Sequence, residues 1–268
     1  MLFRSRPTPI VGYLAAIAVY WIAAMVVLSP LWARPSTRMA RPRGQDQIFF
    51  EWLLAHAARS VTSLENPLFS TRMNVPDGVN MMANTSALGV TIPLTPITLA
   101  FGPAVAFVSW ATAALALTAT AWYFFLSRRL RLRRTAAFIG GAFCGFSPGM
   151  IAPLHGQPNI SSQFLVPLIL WQVMRLLDPG RAIRGGVALG LLVTYQAFIN
   201  EEILFVTACV CAVLAVSYAA LRWRDAKRMA GRFAAGLGVA AAVTAVLLAY
   251  PLWFQFFGPA HYRSLPDQ

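Results

Sequence analysis

"GPAVAFVSWATAALALTATAWYFFLSRRLRLRR", residues 102–134, decides the class of fold. Residues 103–127 carry no charge. As a helix rising 1.5 Å per residue they would run about 37 Å, enough to cross the roughly 30 Å of hydrocarbon in a bilayer. The run then stops on "RRLRLRR", five arginines in residues 128–134. A basic cluster directly after an apolar span is the mark of a cytoplasmic loop. One stretch therefore reads as a membrane crossing and as a sidedness marker.

The whole chain agrees with it. Of 268 residues 58% are hydrophobic and 12% charged, and the mean hydropathy is +0.60. A soluble domain carries about twice that share of charge. The fold class is all-α, a polytopic transmembrane bundle of about seven spans forming a single membrane domain over 1–268. The expected spans are 10–32, 103–127, 135–153, 160–177, 183–200, 203–222 and 232–257. The first is longer than a signal-peptide core and follows Arg4 and Arg6, so it reads as an uncleaved anchor with the N-terminus inside. Residues 33–87 then form a long first outer loop with amphipathic juxtamembrane helices. The apolar piece 88–102 contains Pro93 and Pro96, which remove backbone donors. It reads as an interfacial or re-entrant half-span.

This topology places 15 of the 22 lysines and arginines inside: Arg4 and Arg6, the 128–134 loop, Arg175, Arg181 and Arg184, and the cluster from Arg222 to Arg232. The short outer loops at 154–159 and 201–202 hold none. Against it stand Arg34, Arg38, Arg41 and Arg43, just after the first span, although a loop of that length crosses with its charge. The expected location is the bacterial cytoplasmic membrane, N-terminus cytoplasmic and C-terminus extracytoplasmic. The net charge of +13 is thus topology, and nucleic acid is not an expected partner. Cys144, Cys209 and Cys211 all lie in apolar runs and offer neither a disulfide framework nor zinc spacing.

The polar residues gather on the outer face. "GQDQIFFEWLLAHAARSV", 44–61, reads as an amphipathic helix with Phe49, Trp52, Leu53 and Ala57 on one side and Asp46 near its start. Asp46 is read either as a helix cap or as a functional acid. "NPLFSTRMNVPDGVNMMANTS", 66–86, is irregular backbone of the kind that lines cavities, and it offers Arg72 and Asn84 as substrate-binding candidates. "PLHGQPN", 153–159, adds His155, Gln157 and Asn159 in a tight turn. Glu201 and Glu202 sit at the next outer mouth, as a solvated interface or as part of a site. His56 is read as structural. Gly141, Gly145 and Gly149 share one helical face, a pattern that lets helices approach closely.

The order of these features resembles the polytopic glycosyltransferases of the GT-C class, and more closely a group of bacterial membrane proteins placed near them. The resemblance rests on the acid early in an outer amphipathic helix, "NPLF…P.G.N…NTS", "PLTPITLAFGP", the arginine-rich inner loop and "GFSPGM…HGQPN". It implies transfer of a sugar from a polyprenyl-phosphate donor on the extracytoplasmic side, with membrane lipid and the lipid-linked donor as partners. Asp46 matches the acid that serves such enzymes as general base or metal ligand, and Arg72 is the candidate for a lipid phosphate. No cofactor is required by the resemblance, and a divalent metal is compatible with it. Where the class often has a second acid, this chain has His155, Gln157 and Asn159, with Glu201 or Glu202 as substitutes. Relatives continue into further spans or an outer domain, so a chain ending at "HYRSLPDQ" reads as a minimal or a truncated form. The competing readings are a transporter or lipid flippase, which would want polar groups near the midplane and paired broken helices, and a non-catalytic membrane subunit.

Overall fold

The computed structural model describes residues 9–37, 45–83 and 85–261. Helices carry almost all of it. In chain order they are α1 (Pro9–Val27), α2 (Ser29–Ala33), α3 (Gln45–Ser63), α4 (Leu88–Thr91), α5 (Thr95–Phe101), α6 (Pro103–Phe124) with a π-helical turn at Phe125–Arg129, α7 (Arg134–Phe146), α8 (Pro148–Ile151) followed by a 3-10 turn at Ala152–His155, α9 (Pro158–Ser161), α10 (Val166–Arg175), α11 (Ala182–Ala197), α12 (Glu201–Leu221) and α13 (Trp223–Phe257). A small hairpin pairs β1 (Phe69–Ser70) with β2 (Val79–Asn80) antiparallel, Phe69 opposite Asn80.

Among the described residues four helices are long and apolar enough to cross a membrane: Ile10–Val27, Pro103–Arg129, Glu201–Leu221 and Trp223–Phe257. The pair Arg134–Phe146 and Pro148–Leu154, bent by 42°, makes a fifth if it counts as one broken span. Two of the seven expected spans fall short. The 160–177 run is interrupted after Ser161, leaving α10 with 10 residues, about 15 Å of helix. The 183–200 run forms α11 with 16 residues, about 24 Å. The 88–102 piece consists of two helices of 4 and 7 residues, each too short to cross. A membrane setting also explains the surface of α12, where Phe205, Val213, Leu214 and Val216 point outward with 59–69% of their surface exposed. Apolar exposure on that scale is stable against lipid tails.

The chain divides into two compact units, both discontinuous in sequence. The first comprises residues up to Phe50 and 104–167. Its core joins α1, α6 and α7 through Ala16, Tyr20, Ala119, Tyr123 and Ala137. The Tyr20 hydroxyl donates to the Phe138 carbonyl at 2.7 Å, and Trp32 Nε1 donates to Thr112 Oγ1 at 3.0 Å. Gly141 and Gly145 are where α7 meets α6. A Cβ at Gly145 would lie 2.5 Å from Ala119 Cβ, and one at Gly141 2.7 Å from the Ala119 carbonyl oxygen. Gly149, the third of the spaced glycines, faces open space. It lies beyond the break at Pro148, in α8, so the common face ends with α7.

The second unit comprises residues 51–103 and those from Leu168 onward. Its centre is the crossing of α11 and α13. A Cβ at Gly186 would stand 2.5 Å from the Gly236 carbonyl oxygen, and one at Gly190 2.8 Å from that of Ala240. Small residues spaced by four on both helices bring the backbones together. Leu68, Met82, Leu88 and Phe254 form a second cluster that ties the hairpin loop to the end of α13. Asn80, 1% exposed, locks it there: its Nδ2 donates to the Phe254 carbonyl at 2.8 Å and to the Pro259 carbonyl at 3.2 Å.

The buried stripe of α3 is Phe50, Leu53, Leu54, Ala57 and Ala58. Leu53 and Ala57 were expected there, but Phe49 and Trp52 are only half-buried. The face is turned by about one residue. His56 is buried, stacks on Trp52 at 5.1 Å, and lies 3.1 Å from the Pro67 carbonyl through Nε2. A carbonyl only accepts, so Nε2 carries the proton. Burial pushes the His56 pKa below the ordinary range, the Pro67 carbonyl pulling the other way. The folded state thus binds fewer protons than the unfolded one. His56 contributes its full stability above about pH 6.5, the unfolded value, and that contribution is lost as pH falls towards the depressed folded value. Thermal unfolding of the detergent-solubilised protein between pH 7.5 and 5.5 is expected to show a downward shift that His56→Gln makes smaller; equal shifts would refute it.

Candidate active site

Asp46 is the second residue of α3 and is solvent-exposed. Gln157, distant by 111 positions, donates from Nε2 to Asp46 Oδ2 at 3.2 Å. Gly156 explains how the turn comes so near. A Cβ there would lie 2.9 Å from Asp46 Cβ and 3.7 Å from the Gln47 amide nitrogen. Any larger residue would push the carboxylate and the turn apart.

The turn is tied down from behind. The Gln157 amide donates to the Pro153 carbonyl at 2.7 Å. Ser161 Oγ donates to the Met150 carbonyl at 2.7 Å, and Ser162 Oγ to the Pro158 carbonyl at 2.9 Å. Trp110 of α6, 1% exposed, donates from Nε1 to Ser162 Oγ at 2.8 Å. Its ring also meets Phe50 edge-on at 5.4 Å. One buried indole therefore positions both the α3 start that carries Asp46 and the turn that carries Gln157. Asn159 is 5% exposed, and its Oδ1 accepts no hydrogen bond among the described residues. An unmet acceptor in that position costs on the order of 1–3 kcal/mol unless a donor reaches it.

The remaining candidates are placed as follows. His155 closes the 3-10 turn, but its side chain lies outside the described residues, as does Asn84 altogether. Arg72 follows β1 in the hairpin and makes a two-point pair with Glu65, at 3.0 and 3.2 Å. The guanidinium holds the Glu65 carboxyl below its usual range. Arg59 approaches the same carboxylate at 3.6 Å. The fork of Arg72 is thus already engaged by a carboxylate, and a phosphate would have to share or replace it. Glu201 and Glu202 occupy the first turn of α12, both exposed, behind the N-cap Asn200, whose Oδ1 accepts from the Ile203 amide at 2.8 Å. Acids at that end of a helix complement its dipole. Asn-Glu-Glu is a helix-start signature, which accounts for the pair without a ligand.

Two features escaped the sequence reading. One is Gly156, whose signal was its place between His155 and Gln157. The other is a cavity of about 430 Å³ in the second unit, lined by Asn66–Leu68, Leu88, Gly89, Ile92, Pro93, Tyr195, Phe198, Tyr250 and Pro251. Its walls are almost wholly apolar. Polar atoms pin them: Asn66 Nδ2 donates to the Tyr250 hydroxyl at 3.1 Å, and the Tyr195 hydroxyl to the Gly89 carbonyl at 2.7 Å. No cluster of three His, Cys, Asp or Glu side chains occurs among the described residues. Compared with protein-family models, with curated proteins and with solved structures, the chain matches none.

Proposed function

We propose that this chain is a GT-C-like glycosyltransferase of the bacterial cytoplasmic membrane. It moves a sugar from a polyprenyl-phosphate donor to an acceptor hydroxyl on the extracytoplasmic side. The observation that carries the reading is the Asp46–Gln157 contact, which joins the two sequence segments that the resemblance makes functional. Asp46 acts as general base. Gln157 holds one carboxylate oxygen by its amide, leaving the second free to accept the proton of the attacking hydroxyl. Electrons of that hydroxyl oxygen form the bond to the anomeric carbon, and the carbon–oxygen bond to polyprenyl phosphate breaks, releasing the phosphate as leaving group. Asn159 Oδ1 is a second acceptor for a donor-rich ligand such as a sugar.

Sidedness supports the same reading. α10 and α11 are consecutive, so a topology in which both cross and one in which neither crosses leave the rest of the chain on the same sides. Counting the bent 134–154 pair as one crossing, as the Asp46–Gln157 contact at its far end requires, the five-span and seven-span arrangements both put Asp46, the 152–161 turn and Glu201 outside and the 128–134 loop inside. A carrier reading draws on the 42° break between α7 and α8. Carriers of that kind use broken helices in pairs, and one bent pair occurs among the described residues. The test is turnover by the purified chain in liposomes. Polyprenyl-phosphate-linked sugars and a hydroxyl acceptor should yield glycosylated acceptor and free polyprenyl phosphate in equal amounts. Absence of both products across a panel of donors and acceptors counts against the assignment.

A further inference from the structure

The catalytic reading makes no use of the most strongly charged part of the molecule. Arg128 is the fourth residue of the π-helical turn that follows α6, and Arg134 opens α7. The loop between them reverses direction through Arg131, in left-handed conformation at φ 57°. Both guanidinium groups come to rest over one ring, that of Tyr13 in α1, at 4.6 Å and 5.5 Å from its centroid. The ring cannot swing aside, because it stacks on Phe124 at 5.1 Å.

Two cations over one ring repel each other, and no carboxylate lies near them in sequence. No Asp or Glu occurs anywhere between Asp77 and Asp178. Among the described residues the only carboxylate in this unit is Asp46, held by Gln157. Arg59 and Arg72 pair with Glu65, in the other unit. Tyr13 attracts both guanidiniums through its face but carries no net charge. The pair is built like an anion clamp, with two planar forks suited to phosphate oxygens.

The surroundings identify the source of the phosphate. The arginines lie at the ends of the Pro103–Arg129 span and of the bent 134–154 pair, where headgroups lie. Leu130 and Leu132 alternate with them and are 43% and 44% exposed. A soluble anion would have no use for exposed leucines between the arginines. A phospholipid satisfies both, with its phosphate between the guanidiniums and its chains against the leucines. We propose that Arg128, Arg134 and Tyr13 form a binding site for the phosphate of an anionic membrane phospholipid, distinct from the catalytic residues and from the donor lipid.

Native mass spectrometry of the full chain, titrated separately with phosphatidylglycerol and phosphatidylcholine, tests this. Phosphatidylglycerol should bind in preference, and Arg128→Gln/Arg134→Gln should weaken it about thirtyfold, on the order of fivefold per arginine. Arg134→Lys keeps the charge and loses one fork. It serves if the double variant does not fold, and is expected to weaken phosphatidylglycerol several-fold while leaving phosphatidylcholine unchanged. Inorganic phosphate at equal concentration should not displace the lipid. Equal binding of the two lipids, wild-type affinity in the variants, or full displacement by inorganic phosphate would overturn the proposal.

Discussion

Asp46→Asn is expected to reduce sugar transfer by at least 100-fold, within the roughly 10²–10⁴-fold range of a lost general base, while membrane insertion and folding are unchanged. Asparagine separates the two roles open to this position. Its side-chain oxygen still accepts from Gln157, and losing the charge in the first turn of α3 costs only about 0.3–1 kcal/mol at an exposed position, so a purely structural residue would survive the exchange. What asparagine cannot do is take a proton. Asp46→Glu keeps the base but pushes it outward by a methylene group against the close approach at Gly156, so partial activity is expected. Turnover of the donor with wild-type and variant protein at matched expression measures this. An asparagine variant with undiminished turnover would leave the residue a structural acid of the first helical turn and remove the chemistry from this end of the bundle.

The second large effect concerns stability. Gly145→Ala places a methyl group 2.5 Å from Ala119 Cβ and 2.8 Å from the Ala119 amide nitrogen. Neither neighbour is a flexible side chain that could swing away, so α7 and α6 must separate. Overpacking of this kind costs about 1–3 kcal/mol. Gly149→Ala adds the same methyl group where nothing lies within 4 Å, and an open surface position is expected to change stability by less than about 0.5 kcal/mol. Thermal unfolding of the two variants in one detergent is the comparison, since they differ in position and not in chemistry. Equal behaviour would mean that α7 does not approach α6 at Gly145.

The membrane class was legible because hydrophobicity and charge are local: residues 102–134 announce a span and its end without reference to anything else. The amphipathic character of α3 was legible for the same reason, but its rotation was not. Phe50 rather than Phe49 is buried because Trp110, sixty positions away, offers it a ring edge. Span lengths failed for a related cause. Residues 160–177 are apolar enough for one helix, yet the chain breaks after Ser161, where serine hydroxyls bond to the Met150 and Pro158 carbonyls and Trp110 takes hold of Ser162. A hydropathy run cannot register a break made by distant partners. The glycines of α11 show the limit differently. Their spacing is visible, but what fills the groove is Gly236 and Ala240 of α13, a pairing that only the fold provides. At the candidate site the sequence supplied the polar residues and their grouping, whereas the contact between Asp46 and Gln157 depends on a glycine with no side chain to notice.

Catalysis of the proposed kind requires Asp46 and Gln157 to meet at the extracytoplasmic surface. Single cysteines at 46 and 157, in a chain whose three native cysteines are replaced by alanine, can be probed in intact cells with a membrane-impermeant thiol reagent, and the pair with a short bifunctional crosslinker. Labelling of both from outside, and crosslinking of the pair within one chain, is the predicted result. Labelling of either position only after the inner face is opened, or two outer cysteines that never crosslink, would contradict it.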